Sequence, residues 1–335
     1  MVMRYIIAEQ YAKLPILATP ETCPGKTYIV TGANSGLGLE TARHLVRCSA
    51  SRVILAVRNV AAGEAAKQDI ERTTGRKEVA LVWKLDLASR TSIKEFATKV
   101  EKELERVDGL IENAGVFVDK WSTCEGNMET TMTVNVINTM LLAHLLLPKL
   151  IASAKHYNIT PRLVFVVSGL GFTTPAKKEL EKGGNRDIFK NLNNPNEQLM
   201  DERYSLSKLV LIYAIRSLSE TYPVSDTGVI INMVSPGICS TGLARDARAF
   251  MRAVQGIIRA VWARSAEEGS RTILHAVVSD ESSHGKHLSG CKIKEHWIPP
   301  WMTDNEGQQA QAQIWKELKD LMDKAGSGPI TLNPA

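Results

Sequence analysis

The sequence predicts an α/β fold: a doubly wound parallel sheet of six or seven strands in a single domain. Three observations carry this. Short β-branched runs alternate with helix-patterned stretches from Lys26 onward. The run Leu163 to Val167 is continuously apolar, as a strand covered on both faces must be. A glycine-rich turn, Thr31 to Gly38, joins the first run to the first helical stretch.

The elements follow in order. Tyr28-Ile29-Val30 is the first strand and Gly38 to Arg47 its helix. Arg52 to Val57 is the second strand, with Ala61 to Arg72 as the helix after it. Val79 to Trp83 is the third strand, and Ser92 to Glu105 a charged amphipathic helix. Leu110-Ile111 opens a short fourth strand before the long apolar helix Thr130 to Leu150. Leu163 to Val167, the helix Tyr204 to Glu220 and the strand Val229 to Val234 complete the alternation. An N-terminal extension, 1–24, precedes the alternating α/β domain over 25–281. That domain includes the segment at about 237–265, Ile238 to Arg264 with its mix of Leu243, Phe250, Met251, Arg245, Arg248 and Arg252. Residues 172–200 are polar and rich in Gly and Asn, which reads as a surface insertion. Residues 282–335 form a C-terminal extension packing on the domain. It is irregular to about residue 306 and ends in an amphipathic helix, Gln308 to Lys324.

Bulk properties narrow the class. The chain has 335 residues, 44% of them hydrophobic, and a net charge of +5. That charge is too dilute for a nucleic-acid surface. Five widely spaced cysteines without a C-x-x-C pair fit a reduced, cytoplasmic protein. Met1 to Pro20 lacks the pattern of a secretory signal. The apolar stretch Thr139 to Leu150, broken by His144 and Pro148, is too short for a transmembrane segment. His284, His287, Cys291 and His296 do not have the spacing of a closed zinc site, so no metal is expected.

The turn Thr31-Gly32-Ala33-Asn34-Ser35-Gly36-Leu37-Gly38 follows a strand and opens a helix. Glycines there permit a tight turn and let backbone approach a pyrophosphate, which sits on the helix N-terminus. At the tip of the second strand stands Arg58, where an NAD site carries a carboxylate. Its forked cation suits a ribose 2′-phosphate, so the cofactor expected is NADP(H). Asp86 after the third strand can accept from an adenine amino group or start a helix. Asn113 after the fourth can tie strand edges together. Tyr204 and Lys208 are four residues apart and share a helix face. An ammonium beside a phenol favours its charged form and lowers its pKa. Ser168, at the end of the fifth strand, can polarise the same substrate oxygen.

In this order the motifs resemble the short-chain dehydrogenase/reductase family, from about Lys26 to Thr241. The resemblance implies a general acid/base at Tyr204 and a lysine, Lys208, that holds the nicotinamide ribose. It implies a substrate-polarising Ser168 and a water-holding Asn135 in the long helix. Pro236-Gly237, Ile238 and Thr241 would line the nicotinamide. The resemblance also implies that the segment at about 237–265 is a substrate lid. The usual N-N-A-G reads Glu112-Asn113-Ala114-Gly115 here. The long gap between Ser168 and Tyr204 resembles retinol-dehydrogenase-like and carbonyl-reductase-like branches and fungal members of secondary metabolism. The expected activity is hydride transfer between NADP(H) and a carbonyl/alcohol pair on a small, hydrophobic or polycyclic molecule. Trp297 to Trp301 would either cap its pocket or pack the tail. A homodimer would pair through Thr130 to Leu150 and Tyr204 to Glu220. The rival readings are a catalytically weak NADP-binding regulator or sensor, and epimerisation or dehydration on the same fold.

Overall fold

A computed structural model of the chain describes residues 8–181, 187–197, 199–242, 263–328 and 330. The predicted strands form one sheet. They are β1 (Thr27–Thr31), β2 (Arg52–Val57), β3 (Ala80–Lys84), β4 (Gly109–Glu112), β5 (Arg162–Val166) and β6 (Ile230–Ser235). Two further strands, β7 (His287–Ser289) and β8 (Lys292–Ile293), complete it in the order β3-β2-β1-β4-β5-β6-β7-β8. All pairs are parallel except β7 with β8. The sheet therefore has eight strands, not six or seven. The added pair comes from the stretch read as irregular, because strands of three and two residues leave no period to detect.

Strand side chains alternate between two helical layers. Ile29, Leu163 and Phe165 face the layer of α3 (Arg90–Glu103), α4 (Thr130–Tyr157) and α6 (Arg203–Thr221). Val30, Val164 and Val166 face α1 (Gly36–Arg47), α2 (Val60–Thr74) and α7 (Ala266–Val278). By length and mean hydropathy (1.5) α4 matches a membrane span, so the apolar helix is longer than the sequence suggested. Its apolar window is 72% buried inside the protein, spent on the sheet and neighbouring helices. A π-helical turn, Thr133–Ile137, interrupts it at Asn135.

The insertion at 172–200 is less superficial than its composition suggests. Phe172, Leu180, Ile188, Phe189 and Leu192 are all buried in the α4–α6 core. Its short helix α5 (Ile188–Leu192) is capped from afar: Ile188 and Phe189 N–H groups donate to Glu317 at 3.0 Å each. Glu317 belongs to the tail helix α8 (Asn305–Lys324), which buries Ile314, Leu318 and Met322 and packs on α6. Copies pairing through α6 would meet the chain's own α8 there. Replacing Leu318 by Ala should cost about 2–5 kcal/mol in urea unfolding, the range for a lost core leucine. A loss under about 0.5 kcal/mol would mean the tail only rests on the surface.

Candidate active site

The C-terminal edge of the parallel sheet carries the site. Gly32 and Gly36 take left-handed φ of 67° and 57° in the β1–α1 turn. A Cβ on Gly38 would stand 2.5 Å from Asn113 Nδ2 and 2.6 Å from the Gly32 carbonyl oxygen. Glycine is thus required for the turn to close against the sheet. Ser35 caps α1 in an extended conformation and makes no side-chain cap hydrogen bond. The first N–H groups of α1 are thus not capped by Ser35, which suits an anionic ligand at the positive end of the helix.

Thr31 and Asn113 join β1 to β4. Thr31 Oγ1 accepts from the Asn113 and Ala114 N–H groups at 3.0 and 2.9 Å. Asn113 Nδ2 donates back to the Thr31 carbonyl at 2.8 Å. Arg58 is exposed and lines the same cavity, next to the glycine turn. Asp86 lines it too, while one carboxylate oxygen accepts from Ala88 N–H at 2.9 Å. The placement is compatible with a cavity group; the alternative reading of Asp86 as a helix start is not seen, because Ser89 caps α3 by accepting from Ser92 N–H.

Tyr204 and Lys208 stand one turn apart on α6, with Lys208 Nζ 5.8 Å from the tyrosine ring centroid. Nζ donates to the Val166 carbonyl at 2.9 Å. Burial pushes the lysine down to about 8. Burial also pushes Tyr204 up to about 12, with a Ser168 hydrogen bond opposing it. The lowered phenol expected from the sequence is therefore not what this site displays. The ammonium is turned to a carbonyl and is itself desolvated, so desolvation of the phenol dominates. Asn135 is fully buried and does not reach the cavity wall. Its amide holds both Val116 N–H (2.8 Å) and Val116 carbonyl (2.9 Å), and donates to Ser207 at 3.0 Å.

One cavity of about 600 Å³ takes in every site residue named from the sequence except Gly38 and Asn135. Thr241 sits over the glycine turn, 3.3 Å from where a Cβ on Gly36 would be. Residues 243–262, most of the expected lid, lie outside the described residues. The apolar wall comprises Val116, Phe117, Leu170 and Trp297. Trp297 thus reaches the pocket. Sequence reasoning missed Glu9, Gln10 and Ser289, which carry no motif and arrive from the N-terminal extension and β7. His287 is buried, with Nε2 2.9 Å from Ser235 Oγ and its ring edge-on to Phe172. His284 accepts from Ile231 N–H. These two histidines serve packing and the sheet.

Glu112, the departure from the N-N-A-G pattern, is buried under this edge. Burial raises its carboxyl from 4.5 to about 8, and the Thr31 hydroxyl donates to one of its oxygens at 3.3 Å. The folded protein thus holds a proton that the unfolded chain releases above about 4.5. Stability contributed by this group falls as pH rises from about 4.5 to about 8, then levels off. Glu112→Gln should flatten that slope and stabilise the protein by a few kcal/mol at pH 8, with little gain at pH 4.5. Parallel slopes for both proteins in urea titrations across this range would refute it.

A sequence profile of the short chain dehydrogenase family matches residues 26–178. The chain is 41% identical over 313 residues to a short chain dehydrogenase/reductase of Cryptosporiopsis sp., covering 92% of this chain and 94% of that protein. It is 42% identical over 284 residues to a short chain dehydrogenase of Emericella nidulans, covering 84% and 88%. Among solved structures, an uncharacterized protein from Mycobacterium paratuberculosis shares the fold with a TM-score of 0.64 at 24% identity, covering 91% and 97%. A short chain dehydrogenase from Shigella flexneri does so at 0.58 and 22%, covering 81% and 93%. With relatives of matching length and this cavity at the sheet edge, the chain belongs to the short chain dehydrogenase/reductase family, oxidoreductases that use a nicotinamide cofactor.

Proposed function

We propose that the protein interconverts a carbonyl and an alcohol with NADP(H), on a hydrophobic or polycyclic small molecule of secondary metabolism. The observation that carries this is the meeting of Tyr204, Ser168 and Lys208 in one cavity with the uncapped glycine turn and Arg58. The α1 N-terminus and glycine turn fit a pyrophosphate, and Arg58 fits a 2′-phosphate beside it. When bound, the cofactor supplies or takes the hydride.

The chain's own residues manage the proton. Ser168 and Tyr204 hydroxyls are two donors that can meet on one carbonyl oxygen, where negative charge develops during reduction. A phenol held near 12 stays protonated at neutral pH and is ready to give its proton to that oxygen. In the reverse direction the phenolate must form, and the Lys208 cation beside the ring lowers that cost. Asn135 acts through placement: it fixes Val116 and Ser207 next to Lys208. The apolar wall of Val116, Phe117, Leu170 and Trp297 supports an apolar substrate. Five cysteines, all unpaired, support a cytoplasmic setting.

Tyr204→Phe should lower kcat by about 10²–10⁴-fold and leave NADPH affinity intact, read by single-turnover kinetics and fluorescence titration. Normal turnover in that variant would sink the mechanism. Arg58→Ala should weaken NADPH about 10–100-fold, the worth of a charge-assisted contact, and spare NADH. An equal effect on both nucleotides would refute the reading of Arg58.

A further inference from the structure

Guanidinium groups stay charged in proteins, and a buried charge is paired or costly. Among the described residues three arginines are buried: Arg43, Arg203 and Arg264. Arg43 meets Glu40 at 3.0 Å and Asp69 at 2.6 Å. Arg203 meets Glu129 at 3.6 Å. Arg264 is 6% exposed and lines the cavity, yet has no carboxylate within ion-pair distance among the described residues. Its Nη2 donates to the main-chain carbonyls of Glu9 and Ala12. Nε has no partner. Nη1 lies 3.2 Å from where a side chain on Gly237 would begin, and glycine leaves that approach open.

We propose that Arg264 receives a carboxylate of the substrate, so that the molecule carries an acidic group remote from its reacting carbonyl. This rests on the oxidoreductase reading. The position fits: glycine turn, Arg58 and Asn113 lie over β1, β2 and β4, and Ser168 follows β5. Arg264 pairs with Cys239 in the segment that follows β6, the strand next to β5. Its surroundings are fixed in advance. The Gln10 side chain grips Ile238 at both N–H (3.0 Å) and carbonyl (2.7 Å), and the same carbonyl accepts from Arg264 N–H at 2.9 Å. Glu9, the nearby lining carboxylate, is held by Lys294, which leaves the net positive charge on Arg264. Arg264 is itself buried, and an ion pair is stronger there than in water.

The test compares 4-carboxybenzaldehyde with its methyl ester, using intact protein and NADPH. The wild type should favour the acid in kcat/KM by at least about ten-fold, the worth of one charge-assisted contact. Arg264→Gln should collapse that acid-to-ester ratio toward one, and Arg264→Lys should keep part of it. A ratio cancels any general loss of folded protein. A wild-type ratio near one, or a ratio unmoved by Arg264→Gln, overturns the proposal. Loss of NADPH binding with the ratio unmoved would make Arg264 a cofactor group and overturns it too. Equilibrium binding of the two aldehydes separates the readings. Acid that binds no better than ester overturns the Arg264 proposal, whereas bound acid that never turns over counts against the oxidoreductase reading alone.

Discussion

The site depends on how two neighbouring strands end together. A parallel sheet stops with unpaired main-chain groups at its C-terminal edge, and buried groups of that kind must find partners. The Thr31 hydroxyl and the Asn113 amide supply them between β1 and β4. The same amide stands against Gly38, so this junction also sets how closely α1 can approach the sheet. The glycine turn, the uncapped helix end and the chain entering Val116 all take their positions from it. Asn135 continues the junction one layer deeper by holding Val116 at both main-chain groups.

Desolvation is the second organising effect. It raises Tyr204 and lowers Lys208, so each side chain in the resting site is biased towards its neutral form. Opposite charges on the two would stabilise one another more strongly in this setting than in water. The buried lysine is therefore a poor influence on the resting phenol and a useful one once negative charge forms. Glu112 obeys the same rule, kept protonated by burial beneath the strand ends. Arg264 cannot follow it, because a guanidinium does not release its proton at working pH. That is why its missing counter-charge carries information that a buried lysine or glutamate would not.

The tail and the insertion form one unit with the core. Glu317 of α8 caps α5, and α8 covers α6, the helix that carries Tyr204 and Lys208. The N-terminal segment grips the loop after β6 through Gln10. Segments that look like appendages in the sequence thereby brace both ends of the cavity.

Local chemistry was readable from the chain. Strand runs, the glycine turn, Arg58 at a strand tip and the four-residue spacing of Tyr204 and Lys208 are all short-range patterns set by backbone geometry. What depends on distance through space was not readable. β7 and β8 are too short to show a period and exist because β6 offers an edge. The apolar residues of the insertion are sparse, and they become core only by folding against distant parts of the chain, α8 among them. The direction of the Tyr204 shift follows from what surrounds the ring, not from Lys208 being one turn away. Arg264 lacks any motif, and its want of a carboxylate partner among the described residues appears only in the folded structure. Sequence carries periodicity and residue chemistry, whereas burial and charge pairing are sums over neighbours that folding alone brings together.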